Sequence, residues 1–212
     1  EIVSRGHEVA SHGYNHERNY NLDSETLRKD LKKSKKLLED ITGVEVIGYR
    51  APTFSITDEV MTMLRKLGYK YDSSLNDFPL HDRYGKLSGE KINGPFLHSS
   101  GIVEIPMPLV KIFGKNIPIS GGGYFRLLPF AVFKGLVKRY LKENDLYVFY
   151  MHPWEIDKDQ PRIKNVKLTN KIRQYTAIKK TEYRLKTLID EVPFSYEKIG
   201  SIYSNILIRC ER

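Results

Sequence analysis

The feature that most restricts the fold of this chain is an alternation of helix-period and strand-like segments between residues 23 and 74. Asp23 or Ser24 caps a predicted helix running to about Thr42, with Leu27, Leu31, Leu37, Leu38 and Ile41 close to helical period. Gly43 is placed to stop it. Residues 44–50 read as a strand, and residues 50–55 as a loop at its C-terminal end. Ser55 or Thr57 then caps a second helix, with Asp58 and Glu59 in its first turn and Val60, Met61, Leu64 and Leu67 on its inner face. Gly68 ends that helix, and residues 69–74 read as the next strand. Strands joined through helices run parallel, so the fold class is α/β, as an open sheet or a barrel.

The rest of the chain is less regular. Residues 1–10 read as a helix end and a short strand, with Ile2 and Val3 buried and His7 hydrogen-bonded rather than ligating. Residues 76–101 are rich in Asp, Gly, Pro and His, and residues 102–108 read as a strand. Gly121-Gly122-Gly123 is not a phosphate-cradling GxxxxGK[ST] loop; a flexible turn and a ligand-contacting loop are both open. Pro129 opens a helix to about Asn144, residues 146–151 form an apolar strand, and residues 169–190 form another helix. Residues 194–208 close the chain with strand-like alternation. At 212 residues the length suits one domain, or a domain with an extension.

Composition excludes several classes. No apolar run is long enough to span a bilayer. The single cysteine, Cys210, rules out an internal disulfide framework and a CxxC metal site, and leans slightly toward the cytoplasm. The net charge of +9 suits anionic partners. Much of it lies on the first helix, at Arg28, Lys29, Lys32, Lys33, Lys35 and Lys36, which reads as a solvated face. No nucleic-acid-binding signature accompanies it.

Chemistry enters at Ser11-His12-Gly13-Tyr14-Asn15-His16. Two imidazoles four residues apart can converge on one ion, although a catalytic zinc typically takes three protein ligands. The motif lacks the Glu of HExxH and is weak alone. Its weight comes from company: His12, Arg50, Asp72 and His152 each fall at or just past the C-terminal end of an expected strand. That face carries the active site in parallel barrels and open parallel sheets.

With these residues in view, the chain resembles the polysaccharide deacetylases of the NodB-homology group, carbohydrate esterase family 4, in the branch found with exopolysaccharide biosynthesis. The resemblance rests on the His12–His16 motif, Tyr49-Arg50-Ala51-Pro52 and Tyr71-Asp72-Ser73-Ser74. It rests further on residues 121–129 (GGGYFRLLP) and on Tyr150-Met151-His152-Pro153-Trp154-Glu155. It implies a distorted (β/α) barrel of about seven strands, with residues 1–212 as one domain and residues 155–212 as a C-terminal extension on the barrel. It also implies metal-dependent removal of acetyl groups from N-acetylated sugars of a polysaccharide or oligosaccharide. On that basis His12 and His16 bind a divalent metal, usually zinc, and His152 is the general acid. Arg50 orients the catalytic base, and Asp72 holds a polar contact near the acid. Pro52, Tyr124, Arg126 and Trp154 line the sugar site. The family's first motif, which supplies the base and the third metal ligand, lies upstream of its metal histidines and is absent here. The chain is therefore expected to lack its first strand and to be inactive alone. Gly13 stands where the family usually has Ser or Thr.

Two other readings compete. One is a glycan-binding relative that has lost its catalytic carboxylates. The other is a basic domain that holds an anionic polymer through the Lys-rich helix, with affinity that falls steeply with salt.

Overall fold

The computed structural model describes residues 1–78, 83–89, 94–192 and 195–210. In chain order the elements are α1 (Ser24–Thr42), β1 (Gly48–Tyr49), α2 (Asp58–Lys66), β2 (Tyr71–Asp72), β3 (Phe96–Leu97) and β4 (Val103–Glu104). They continue as β5 (Leu109–Ile112), β6 (Lys115–Pro118), α3 (Gly122–Leu127), α4 (Phe130–Glu143), α5 (Leu168–Tyr175), α6 (Thr181–Glu191) and α7 (Ile199–Cys210). The chain forms two compact units: Glu1–Met107 with Tyr196–Arg212, and Pro108–Ser195.

The first unit is built on a sheet of order β1-β2-β4-β3. β1 and β4 flank β2 in parallel, and β3 is antiparallel to β4. Ser11 adds a parallel bridge to Tyr49: its N–H donates to the Gly48 carbonyl, and the Arg50 N–H donates back to the Ser11 carbonyl, both at 2.9 Å. Four parallel segments therefore end at one edge, at Ser11, Tyr49, Asp72 and Glu104. The helices form where their caps predict. The Asp23 carboxylate accepts the Thr26 N–H at 2.8 Å, Gly43 closes α1 at φ 71°, and Thr57 caps α2. Leu27 and Leu31 of α1, with Val60, Met61 and Leu64 of α2, bury against Val46, Tyr49, Tyr69 and Ile102.

Several expectations change. The strands expected over residues 44–50 and 69–74 pair over only two residues each. Ile2 is exposed and Val3 only half-buried, because they lie at a 3-10 turn, Val3–Arg5, that buries none of its residues. The segment expected as a closing strand is α7, whereas Phe194 lies outside the described residues. Ile199, Ile202, Tyr203, Ile206 and Leu207 follow helical spacing, and Ile206 is buried. Among the described residues the strands form an open four-stranded sheet and one hairpin; no closed ladder joins them.

In the second unit β5 and β6 pair antiparallel through Phe113 and Gly114, both with positive φ (46° and 77°), as a two-residue hairpin turn requires. The glycine run expected as a turn or loop instead begins α3, with Gly121 bridged to Tyr150. That bridge is the only β pairing within the apolar segment 146–151, among the described residues. The helix expected over residues 169–190 divides into α5 and α6 at Ala177, whose φ is 54°. Phe125, Phe133 and Phe149 meet edge to face, with centroids 5.1–6.5 Å apart, at the centre of this unit's core.

Candidate active site

The first unit gathers its polar residues at the sheet edge. His12 follows Ser11 directly out of the bridge with Tyr49. Its Nδ1 lies 2.7 Å from the Arg50 carbonyl oxygen. A carbonyl can only accept, so Nδ1 carries the hydrogen and, in the neutral ring, Nε2 is the nitrogen that bears the lone pair. The His16 ring meets the His12 ring edge-on at 4.9 Å between centroids, and both side chains are exposed. His16 has φ 56°, a left-handed conformation that costs free energy and is held by its surroundings.

Those surroundings come from α1. The Asp30 carboxylate accepts the Tyr14 and Asn15 N–H groups at 2.8 and 2.9 Å, between the two histidines. Ser34 pairs with the Ser11 hydroxyl at 2.8 Å and donates to the Gly13 carbonyl at 3.2 Å. Gly13 has φ 76°, and a Cβ there would sit 3.2 Å from Asp30 Oδ2 and 3.3 Å from Pro52 Cγ. Glycine is thus fitted to both the backbone and the space, where Ser or Thr would be strained.

Arg50 leaves the end of β1 half-buried. Its Nε donates to the Ser73 carbonyl at 2.7 Å and its Nη2 to the Ser73 hydroxyl at 2.8 Å. The Ser73 hydroxyl in turn donates to the Ile105 carbonyl. Asp72 is fully buried, and its carboxylate accepts the Ser74 N–H and hydroxyl at 2.9 and 2.7 Å. Opposite it in register stands Glu104, also fully buried. Glu104 Oε1 accepts the N–H groups of Ser74 and Leu75, whereas Oε2 is buried without a hydrogen-bond partner. Burial first, and the adjacent Asp72 second, push the Glu104 carboxyl well above its usual range. Burial raises Asp72 too, against the pull of Glu104, Ser74 and Arg50. Glu104 was not among the expected site residues. Its one signal was a lone carboxylate inside the apolar run Ile102-Val103-Glu104-Ile105.

The second unit carries a separate constellation on the 3-10 turn Pro153–Glu155. His152 caps this turn, exposed; its backbone N–H and Nδ1 lie 3.0 and 3.1 Å from Glu155 Oε1. A carboxylate accepts, so Nδ1 again carries the hydrogen and Nε2 points away from Glu155. Trp154 stacks on the His152 ring at 5.6 Å and 19°. Glu155 Oε2 meets Arg126 Nε at 2.9 Å, with both side chains buried. Burial alone would raise the Glu155 carboxyl; the donors of His152 and the Arg126 guanidinium outweigh it and hold it below its usual range.

Arg126, expected to line a sugar groove, is instead only 2% exposed. Its Nη1 takes the carbonyls of Gln174 and Thr176, where the α5–α6 path breaks, and its guanidinium lies 5.3 Å over Trp154. Gly122 completes the pocket, since a Cβ there would fall 2.2 Å from a Glu155 carboxylate oxygen. Tyr124 is partly buried against the second unit's core, and Pro52 is buried beneath Gly13. Each unit thus brings its own polar set together: His12, His16, Arg50 and Asp72 in one, His152, Trp154 and Arg126 in the other. Among the described residues no third His, Cys, Asp or Glu joins the histidine pair.

The family matches divide the chain at a different point from the two compact units. Residues 1–71 match the polysaccharide deacetylase family, and residues 73–201 match a domain of unknown function, DUF3473. The chain belongs to the DUF3473 family, and its first 71 residues carry the likeness to polysaccharide deacetylases. It is 41% identical over 87 residues to the peptidoglycan deacetylase of Helicobacter pylori, covering 40% of this chain and 30% of that protein. It is 39% identical over 75 residues to the peptidoglycan deacetylase-like protein FGM2 of Gibberella zeae, covering 35% and 22%. A crystal structure assigned as a polysaccharide deacetylase from Mycobacterium smegmatis superposes with a TM-score of 0.63 at 21% identity, covering 98% of this chain and 65% of that one. The matched stretches thus span less than a third of the curated relatives.

Proposed function

We propose that this chain forms part of a metal-dependent hydrolase that removes acetyl groups from N-acetylated sugars of a glycan. The observation that carries the reading is the braced histidine pair: the Arg50 carbonyl fixes the hydrogen of His12 on Nδ1, and the His12 ring meets that of His16 edge-on. Two neutral imidazoles on a braced loop suit a divalent ion of the zinc type, and they would supply two of its ligands. Such an ion, when bound, supplies a Lewis acid that polarises the acetamide carbonyl and acidifies water.

The chain's own residues do the rest. Arg50 is set by Ser73 to orient a carboxylate base, and its carbonyl sets His12. His152 supplies the proton that lets the amine leave, because an amide nitrogen departs only when protonated. Glu155 holds His152 by Nδ1, so the transferable proton sits on Nε2. Trp154 stacks on the imidazole and keeps it from rotating. The likeness to peptidoglycan deacetylases supports an N-acetylated glycan as substrate. The distorted barrel belongs to this same reading.

Zinc titration of the chain and of His16→Ala, followed by acetate release from N-acetylated glycan fragments by the full-length protein, tests it. Near-stoichiometric zinc lost in the variant, with acetate release lost in His152→Ala, is the expected result. Zinc binding without acetate release would instead favour a glycan-binding relative. Zinc binding indifferent to His16 would remove the metal site.

A further inference from the structure

The positive charge of this chain is concentrated away from the helix that looks most basic. On α1, Lys29, Lys35 and Lys36 pair with Glu25, Glu39 and Asp40 one turn away. Residues 156–180 instead hold eight Lys and Arg side chains against two Asp, a net +6 of the chain's +9. The same stretch exposes aliphatic side chains. α5 buries none of its residues, and Ile163, Leu168 and Ile172 are 62%, 71% and 49% exposed. Leu168 and Ile172 are four residues apart and share one stripe. Ile163 and Ile172, with Arg162, Lys164 and Lys171, line an open depression of about 720 Å³ that no carboxylate enters.

The platform is braced. The Tyr175 hydroxyl accepts the Ile163 N–H at 2.9 Å and donates to the Pro161 carbonyl. The Arg162 guanidinium lies 4.8 Å over the Tyr175 ring. Thus the loop before α5 is tied to its last turn.

We propose that this face docks on an anionic lipid surface. A contiguous cationic and aliphatic surface matches a membrane interface, where apolar side chains enter the acyl boundary and lysines meet acidic headgroups. A glycan would call for open aromatic faces, yet the one aromatic ring of the depression is covered by Arg162. A polyanion in solution would need the cations but not Ile163, Leu168 and Ile172. The proposal does not depend on the deacetylase reading, and its test uses no catalytic readout.

The test is sedimentation of the 212-residue chain with vesicles of phosphatidylcholine alone, or with about one third phosphatidylglycerol, at ionic strengths near and well above about 0.1 M. The expected result is binding to the anionic vesicles only. It should weaken at least about tenfold in Leu168→Ser/Ile172→Ser, which removes several buried methylenes, and also in Lys164→Glu/Lys171→Glu. Leu37→Ser/Ile41→Ser, exposed aliphatics of α1, should leave it unchanged. Circular dichroism of each variant checks folding. No vesicle binding, equal binding to neutral vesicles, or binding indifferent to Leu168 and Ile172 would each overturn the proposal. The last outcome, with retained affinity for a soluble acidic polysaccharide, would identify a polyanion site.

Discussion

Glu155 serves two neighbours at once: it fixes the His152 ring, and it neutralises Arg126 inside the second unit. The two duties separate on substitution. Glu155→Gln keeps an acceptor for Nδ1 and should lower kcat of the full-length enzyme with little change in KM. Glu155→Ala should cost kcat further and scramble the His152 tautomer, read by imidazole nitrogen shifts. Arg126→Met leaves a carboxylate buried without its partner, and should cost about 3–5 kcal/mol in urea unfolding. Glu104 makes a prediction of opposite character. Its folded pKa lies well above its unfolded value, so its contribution is fully present below the unfolded value and lost as pH rises through the folded one. Stability of the wild type should therefore decline from about pH 5 upward, by up to about 1.4 kcal/mol per pH unit over the affected window. Glu104→Gln should flatten that decline; urea midpoints at mildly acidic and alkaline pH decide it.

α1 has a second job beyond covering the sheet, because Asp30 and Ser34 hold the loop that carries both histidines. Asp30→Ala should weaken zinc binding by about tenfold or more while leaving helix content intact, as loss of supporting contacts around a ligand set does. Asp23→Ala, at the helix start, should instead cost about 1 kcal/mol of stability and leave zinc affinity alone. The helices with side-chain caps were legible, since Asp23, Gly43 and Thr57 state their boundaries in local chemistry. The lengths of the strands were not, because ladder pairing depends on neighbours distant in sequence. The Ile and Tyr residues of α7 mimic strand alternation, although positions 199, 202, 203, 206 and 207 carry the helical spacing. The break at Ala177 had no local signal; the Arg126 side chain, some fifty residues earlier, takes the carbonyls on its N-terminal side.

At the scale of the molecule, motif residues proved easier to locate than their supports. His12, Arg50 and Asp72 stand at strand ends as the α/β alternation implies, whereas Asp30, Glu104 and the Arg126 side of Glu155 depend on partners 15 or more residues away. Sequence spacing does not display such pairings. The first unit has a further property of this kind. Its chain leaves at Met107 and returns only at Tyr196, and α7 then packs near β3 and β4. Within α7 the Gly200 N–H reaches the carboxylate of Glu8, whose other oxygen accepts the Tyr71 hydroxyl. During synthesis on the ribosome, the segment carrying the histidine pair therefore waits for residues 108–195 to be made before its closing helix emerges. A nascent chain arrested before Ile199 would hold His12, His16, Arg50, Asp72 and His152, yet still lack the helix that packs near β3 and β4 in the unit bearing four of them.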